Sequence, residues 1–387
     1  MKPKVKLGVD VFLEEHVHLV KGKRVGLLTN QTGANAELVS TIQLFHRHPD
    51  IQLTALFAPE HGLKTYAKEG EKFSNTVHEE TNLPVFSLYG ATKKPTDEMM
   101  DEVDVVVFDI QDIGVRYYTY IYSLAYMMEA CKRTNKKIIV LDRPNPIGGI
   151  EVEGNLVADD FTSFVGLYPI PNRYGMTVGE LASYFNNEFS IQCDLTVVSM
   201  EGWNRNMYLS DTCLPWISPS PNTTGIDMML LYPGTCLIEG TNLSEGRGTT
   251  QPFEIIGAPF INGEKLQDEL NALKLPNIHF RATYFKPTYQ KYKDELCEGV
   301  QLHILDRLNF KPLSTFSKAF NKIVSIYGDR IEFLTYESIK HPMFDLLAGS
   351  ALLRKSVLEG NIDNFLEACQ KDTKEFMTRR AKYLLYR

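Results

Sequence analysis

Short apolar runs alternate with longer, helix-like stretches through the first 200 residues of the chain. Continuous runs of Val, Ile and Leu that are separated by helical segments are typical of parallel strands buried on both faces. Six runs fit this description, and they cover residues 25–29, 53–58, 85–88, 103–110, 137–141 and 195–200. The pattern therefore predicts an α/β fold with a Rossmann-like, doubly wound and mainly parallel sheet.

Helices are predicted between these strands, and their bounds are 37–48, 96–102, 117–134 and 177–189. The last of them begins with Thr177 followed by Glu180, which is a capping-box pattern. A segment rich in Pro and Gly near residue 230 interrupts the alternation. We therefore expect residues 1–230 to form the Rossmann-like domain and residues 231–387 to form a smaller α+β domain. In this second domain we expect a strand at 235–239 and helices at 344–359 and 362–385.

The composition narrows the class of protein. The chain has 387 residues, a formal net charge of −7 and 43% hydrophobic residues, which is typical of a globular protein with a large core. The negative net charge, together with the lack of a segment rich in Lys and Arg, argues against nucleic acid as a partner. No apolar stretch approaches the roughly 18 residues of a membrane span, and the six cysteines lack the spacing of a metal site, so we expect buried thiols.

The N-terminus predicts the cellular location. Residues 1–10 contain basic side chains but lack the apolar segment of a signal peptide. We therefore expect a cytoplasmic protein, with export and prior removal of a signal as the alternative. The oligomeric state stays open.

A Rossmann-like sheet raises the question of a nucleotide. The loop after the first strand, residues 30–35, reads NQTGAN instead of GxGxxG, and the chain contains no P-loop. The acidic strand ends also lack a DxD pair that would favour a magnesium site. We therefore expect neither a cofactor nor a metal ion, and a nucleotide-dependent enzyme is an unfavoured alternative.

Glu60 and His61 are the strongest candidates for chemistry. They follow the strand at 53–58 and stand between Pro59 and Gly62. Because ligands of open α/β sheets bind beyond the carboxyl ends of the strands, both side chains should face the ligand crevice. A carboxylate held in partly apolar surroundings favours the protonated form that a general acid needs. The alternative is a solvated loop glutamate beside a histidine that is bonded to the backbone.

The same loop contains two more acidic residues, Glu69 and Glu71. Two carboxylates that flank a scissile bond are what glycoside hydrolysis requires, and Glu71 is our candidate for the second one. At the end of the strand at 103–110, Asp109 is expected to orient His61 or to bind a sugar hydroxyl.

Further polar residues at strand ends and in Gly-rich loops are assigned to substrate binding. Asp112 and Arg116 could instead pair with each other across one helical turn. The segment 239–253 is too rich in small hydrogen-bonding residues to belong to a core, and fits a ligand-contacting loop between the domains. The predicted binding residues are Asn30, Asp112, Arg116, Arg143, Asn145, Asn222, Glu245 and Arg247.

Six motifs, taken together and in this order, resemble those of a known protein family. Along the chain they are Pro59 to Gly62 with 67–71, Asp109 to Gly114 with Arg116-Tyr117, Asp142 to Pro146, Gly175 to Thr177 with Gly179 to Leu181, Pro219 to Asn222, and Glu239 to Phe253. Together they resemble the exo-acting β-N-acetylmuramidases of peptidoglycan recycling, the NamZ-like glycoside hydrolases, first catalogued as a domain of unknown function. The resemblance extends from about residue 8 to residue 386. Tyr174 departs from it, because a histidine is expected there, and so does Thr223-Thr224 after Asn222.

This resemblance implies an active site in the cleft between a Rossmann-like domain and a smaller C-terminal domain. It also implies release of N-acetylmuramic acid from the non-reducing end of peptidoglycan fragments, with Glu60 as the catalytic glutamate beside His61. The lactyl carboxylate of that sugar requires a cation, for which Arg247 is preferred over Arg143 and Arg116. A covalent glycosyl-enzyme and assistance by the 2-acetamido group both remain open. A non-catalytic muropeptide or amino-sugar binding protein is the alternative function.

Overall fold

The larger of two β-sheets forms the centre of the N-terminal half. A computed structural model describes residues 4–67 and 70–387 of the chain. The strands of this sheet are β1 (Arg24–Thr29), β2 (Gln52–Ala58), β3 (Thr76–Val77), β4 (Pro84–Ser87), β5 (Val105–Asp109), β6 (Lys137–Leu141) and β7 (Asp194–Val198). Their order is β3-β4-β2-β1-β5-β6-β7, and every pair is parallel except β3 with β4. The predicted mainly parallel sheet is confirmed.

Helices connect these strands and build most of the C-terminal half. The α-helices are α1 (Gly8–Val11), α2 (Thr41–Arg47), α3 (Asp97–Met100), α4 (Tyr120–Arg133), α5 (Val178–Glu188), α6 (Leu209–Thr212), α7 (Ile226–Thr235), α8 (Gly263–Asn271), α9 (Pro312–Tyr327), α10 (Met343–Ala348), α11 (Leu352–Leu358) and α12 (Asp363–Arg380). A π-helical segment covers Phe12–His16, and 3-10 segments cover Val17–Leu19, Asp159–Phe161, Cys236–Gly240, Gly328–Arg330 and Ala381–Tyr383.

The central strands are buried on both faces, as a doubly wound sheet requires. Successive residues of β5 alternate between two cores. Val106 and Phe108 belong to the core that contains α4 and α5 residues, while Val105 and Val107 pack with Phe45 of α2 on the opposite face. Because side chains of a strand point alternately to its two faces, an uninterrupted apolar run was the correct signal for these strands.

A smaller antiparallel sheet belongs to the C-terminal half. Its strands are β8 (Ile255–Ala258), β9 (Ile278–Phe285) and β10 (Cys297–Ile304), in the order β8-β10-β9. Helix α7 packs against α9, and one apolar core joins residues of both halves, such as Tyr117 and Phe344. This arrangement confirms the predicted α/β sheet with a smaller α+β region.

The predicted strand at 235–239 is wrong. These residues form the end of α7 and the 3-10 segment Cys236–Gly240. The stretch is buried on nearly all sides, and a short apolar run does not distinguish a buried helix from a strand. The predicted domain boundary at residue 230 falls inside α7.

The predicted helices differ from the observed ones mainly at their ends. The helix predicted at 344–359 is divided into α10 and α11, because Gly349 adopts a φ of +74° that ends the first of them. The closing helix, predicted to reach residue 385, ends at Arg380. The capping box is confirmed: the Thr177 hydroxyl accepts from the Glu180 amide at 3.3 Å, and the Glu180 carboxylate accepts from the Thr177 amide at 3.0 Å.

All six cysteines are free thiols, and five of them are buried, as the sequence predicted. Across residues 4–67 and 70–387, none of the helices combines the length and the apolar composition needed to cross a bilayer.

Candidate active site

A cleft of about 110 Å³ lies at the carboxyl-terminal edge of the large sheet. Both halves of the chain contribute to its walls, which are formed by Glu60, His61, Tyr117, Tyr118, Thr119, Tyr120, Val165, Ser220, Asn222, Thr223, Met228, Tyr232, Cys236, Glu239, Arg247, Phe253, Met343 and Leu347. This position agrees with the general location of ligand sites in open α/β folds.

Glu60 is held firmly on the N-terminal wall of this cleft. It follows the end of β2 and is 9% exposed. The Thr119 hydroxyl donates to Oε2 at 2.7 Å, and the Gly70 amide donates to Oε1 at 3.1 Å. Because Thr119 directly precedes α4, the helix that follows β5, the end of β2 and the start of α4 together hold this carboxylate.

His61 is oriented by the backbone of its own loop. It adopts a φ of +69°, and its Nδ1 lies 2.7 Å from the carbonyl oxygen of Ala67. A carbonyl oxygen only accepts, so Nδ1 carries the proton and Nε2 is the accepting nitrogen of the neutral ring. Asp109 does not orient His61, contrary to our expectation, because the loop carbonyl takes that place.

Tyr89 and Lys93 stand near Glu60, and sequence reasoning missed both. Burial, reinforced by the negative charge of Glu60, raises the pKa of Tyr89 above its usual value. The Lys93 ammonium lies 3.9 Å from the centre of the Phe164 ring and 5.2 Å from that of Tyr89. Lys93 is exposed, but partial desolvation still lowers its pKa against the opposing effect of the Glu60 carboxylate. A cation therefore lies close to the candidate acid.

The opposite wall contains a cluster of four charged side chains. Arg247 donates to the Glu239 carboxylate at 2.9 Å through Nη2 and to the Glu245 carboxylate at 3.0 Å through Nη1. Lys291 donates to the other oxygen of Glu245 at 2.9 Å. Among the described residues this cluster therefore contains two cations and two carboxylates, of which Glu239 and Arg247 line the cleft.

Glu245 and Lys291 support this wall from behind. Burial alone would raise the pKa of Glu245, but the charges of Lys291 and Arg247 outweigh it and hold the pKa below its usual value. The Lys291 ammonium also donates to the carbonyl oxygens of Ile238 and Leu243 at 3.0 and 2.9 Å. Nothing in the local sequence around Lys291 signals this role, since its partners lie 46 to 53 residues earlier in the chain.

Asn222 and Thr223 occupy a third side of the cleft. The Thr223 hydroxyl is within 3.2 Å of the Tyr118 hydroxyl and 2.7 Å of the Ser220 hydroxyl. Tyr289 donates to the side-chain oxygen of Asn222 at 3.0 Å. The residue that departs from the family pattern, Thr223, is therefore part of the wall's hydrogen-bond network.

Asp109 and Arg143 form a buried ion pair away from this cleft. Arg143 donates through Nε to one oxygen of Asp109 at 2.5 Å and through Nη2 to the other at 2.9 Å, and Thr41 also donates to Asp109. Arg143 lines a separate cavity of about 20 Å³. Asp109 and Arg143 therefore bind each other at the edge of the sheet and do not line the cleft.

Arg116 and Asp112 also lie in the interior. The Arg116 guanidinium donates to three carbonyl oxygens, those of Asn155, Ile170 and Leu347, at 2.6, 2.9 and 3.0 Å. Asp112 accepts from the Tyr174 hydroxyl and from the Gly114 amide. Arg116 and Asp112 do not pair with each other, which was the alternative to substrate binding, because each side chain is bonded to the surrounding backbone or to Tyr174. Burial raises the pKa of Asp112 to about 7.

Asn145, Asn30 and Glu71 likewise stand outside the residues that line the cleft. Asn145 donates to the carbonyl oxygen of Met176 and accepts from the Ile147 amide. The side-chain oxygen of Asn30 accepts from Thr32. Glu71 is exposed to solvent, and Glu69 lies outside the described residues.

Within 4–67 and 70–387, no three His, Cys, Asp or Glu side chains come together in an arrangement that could hold an ion.

Comparison with known proteins identifies the family. The family model described as exo-beta-N-acetylmuramidase NamZ, N-terminal, matches residues 25–227, and its C-terminal counterpart matches residues 230–386. The chain belongs to the NamZ family of exo-β-N-acetylmuramidases. It is therefore a hydrolase of the glycosidase class.

Individual relatives agree with this NamZ assignment. The chain is 49% identical over 386 residues to the peptidoglycan beta-N-acetylmuramidase NamZ of Bacillus subtilis, covering 100% of this chain and 92% of that protein. A crystal structure of a DUF1343 family protein from Bacteroides fragilis shares 39% identity and a TM-score of 0.91, with 100% of both chains covered. A second DUF1343 structure from that organism shares 29% identity and a TM-score of 0.77, with 99% of both chains covered.

Proposed function

We propose that the cleft hydrolyses the glycosidic bond of a terminal N-acetylmuramic acid in peptidoglycan fragments, with Glu60 as the general acid. The observation that carries this proposal is the Glu60 carboxylate, which lines the cleft while both of its oxygens are held by donors. A general acid must reach the leaving oxygen in a fixed orientation. The full-length match to a muramidase supports turnover over the alternative of a non-catalytic sugar-binding protein.

His61 is placed to assist Glu60 or the substrate. Its Nδ1 proton is directed to the Ala67 carbonyl oxygen, so in the neutral ring Nε2 is the acceptor. An acceptor beside the acid fits a sugar hydroxyl that donates a hydrogen bond, which would hold the ring in register with Glu60.

We expect the chain to hydrolyse a chromogenic N-acetylmuramide and to turn over the matching N-acetylglucosaminide much more slowly. The two substrates differ only in the lactyl ether, so the ratio of their kcat/KM values measures recognition of that group. Release of the chromophore is followed for both under identical conditions. Turnover of neither, or of the glucosaminide alone, would contradict the proposed specificity.

Lys93 is our structural candidate for binding the lactyl carboxylate. The three arginines favoured by the sequence are engaged by protein groups: Arg116 by carbonyl oxygens, Arg143 by Asp109, and Arg247 by two carboxylates. In the described part of the chain, the Lys93 ammonium contacts aromatic rings instead of a carboxylate. Its position near Glu60 suits a group on the reacting sugar.

Replacing Lys93 by methionine should remove the preference for the charged substrate. A hydrogen bond to a charged group contributes about 1.5–3 kcal/mol, so wild type should prefer the muramide to its neutral lactyl methyl ester by roughly 10- to 100-fold. Lys93→Met should show nearly equal kcat/KM values for the acid and the ester. A preference that survives in Lys93→Met and disappears in Arg247→Lys would instead assign the carboxylate to Arg247, as the sequence predicted.

A further inference from the structure

Two of the described residues that line the cleft are carboxylates, and they come from different halves of the chain. Glu60 follows β2, whereas Glu239 lies in the 3-10 segment that continues α7. Glu71, which the sequence suggested as the second carboxylate, does not line the cleft. Glu71 is exposed outside the lining residues, and Glu245 is buried with both oxygens bonded to Arg247 and Lys291.

Glu239 accepts two hydrogen bonds at one of its carboxylate oxygens. Its Oε1 accepts from Arg247 Nη2 at 2.9 Å and from the Cys236 thiol at 3.4 Å. Burial, reinforced by the charge of Glu239, raises the pKa of Cys236 well above its usual value, so the thiol keeps its proton. Within residues 4–67 and 70–387 no donor to Oε2 is found, and the side chain remains 20% exposed. One oxygen is therefore fixed while the other is available to a ligand.

An apolar wall adjoins this carboxylate. Arg247, which is bonded to Glu239, also lies 4.8 Å from the centre of the Phe253 ring. The Phe253 ring packs edge-on against Tyr232 at 4.7 Å. The apolar side chains on this part of the cleft are Met228, Tyr232, Phe253, Met343 and Leu347. Apolar side chains provide few hydrogen-bond partners for sugar hydroxyls, whereas burying a methyl group against them is favourable.

Of the two substituents that distinguish N-acetylmuramic acid, the 2-acetamido group matches this combination. It carries an N–H donor and, next to it, a methyl group. The lactyl substituent also carries a methyl group, but its carboxylate would be repelled by Glu239. An accepting carboxylate beside an apolar wall therefore selects the acetamido group.

We propose that Glu239 accepts the N–H of the 2-acetamido group and turns its carbonyl oxygen towards C1, so that the substrate itself supplies the nucleophile. This inference rests on the proposed muramidase function. In the first step Glu60 donates its proton to the leaving oxygen, the C1–O bond breaks, and a bond forms between C1 and the acetamido oxygen. The N–H bond to Glu239 stabilises the positive charge that develops on the resulting oxazolinium.

The second step restores the acid. The Glu60 carboxylate takes a proton from water as the water oxygen attacks C1, and the bond from C1 to the acetamido oxygen breaks. The two displacements together retain the β configuration, and Glu60 is again protonated. In this scheme neither carboxylate forms a covalent bond to the sugar.

The decisive experiment uses the full chain and a series of chromogenic muramides whose N-acyl group carries zero to three fluorines. Fluorine weakens the carbonyl oxygen as a nucleophile, so kcat/KM of wild type should fall with each fluorine added. The first anomer released, observed by NMR, should be β. Turnover of the unfluorinated muramide is measured first, and its absence would overturn the proposed function and the acetamido role with it. Normal turnover with no fluorine dependence would overturn the acetamido role alone.

Variants of Glu239 test the assignment of the residue. Glu239→Ala should lower kcat on the order of 10²-fold, as loss of one group that stabilises transition-state charge does elsewhere, and Glu239→Gln, which keeps an accepting oxygen, should lose less. Glu264→Gln, an exposed glutamate at the start of α8, is the matched control and should behave as wild type. Thermal melting checks folding of each variant.

Two results would overturn the role of Glu239. Formation of an α-glycosyl azide by Glu239→Ala in the presence of azide would make Glu239 the nucleophile. Release of the α anomer first by wild type would indicate a single displacement by water, for which Glu239 would be the base. The fluorine series does not depend on any variant, so the proposal stays open to refutation even if Glu239→Ala fails to fold.

Discussion

Replacing Glu60 by glutamine is expected to lower kcat by about 10²- to 10⁴-fold, the usual contribution of general acid–base catalysis. Glutamine keeps the size of the side chain: its oxygen can accept from the Gly70 amide and its NH2 group can donate to the Thr119 hydroxyl, the two groups that bond the wild-type carboxylate at 3.1 and 2.7 Å. It cannot donate the proton that the leaving oxygen requires. The loss should therefore appear in kcat with the melting temperature nearly unchanged.

The dependence on the leaving group distinguishes an acid from a merely structural residue. A nitrophenyl leaving group needs little protonation, so Glu60→Gln should lose far less on a nitrophenyl muramide than on a natural disaccharide. Glu79→Gln makes the same change at a side chain that is 86% exposed, and its activity should match wild type. Equal losses on both substrates would contradict the assignment of Glu60 as the acid, and Glu245 would be the next residue to test.

Replacing Asp109 by alanine is expected to lower the free energy of unfolding by about 3–5 kcal/mol, because it leaves the buried Arg143 guanidinium without its counter-charge. The Arg143 and Asp109 side chains are 6% and 0% exposed, and two hydrogen bonds of 2.5 and 2.9 Å join them. Without Asp109, the Arg143 charge stays buried and loses the interaction that offsets its desolvation, so the folded state is destabilised. Urea denaturation followed by circular dichroism measures the change.

An exposed ion pair of the same residue types provides the control. Arg24 and Asp104 are bonded at 2.8 Å, but their side chains are 42% and 45% exposed. Asp104→Ala should therefore cost no more than about 1 kcal/mol. An Asp109→Ala variant with wild-type stability and a large loss of kcat would contradict the structural role and return Asp109 to the catalytic residues.

The fold was predictable where burial follows directly from local composition. The apolar run at 137–141 is β6 without any change of bounds, and the Thr177 capping box begins α5 as expected. Both signals are local: a strand covered on two faces needs an unbroken apolar run, and a capping box needs two residues three positions apart. The segment 235–239 failed because a buried helix end needs the same apolar residues as a strand.

The position of Glu60 and His61 in the cleft also followed from the sequence alone, because the residue after a parallel strand necessarily reaches the sheet's carboxyl-terminal edge. Only the tertiary structure decided which side chains face them. Contacts between segments far apart in the chain bring Glu239 and Arg247 to the cleft and Lys93 near Glu60. Arg116 and Arg143 instead lie in the interior, where carbonyl oxygens and Asp109 bind them. The periodicity of apolar residues predicts whether a side chain is buried. The partner of a buried polar group depends on packing between distant segments, and a local sequence pattern does not predict it.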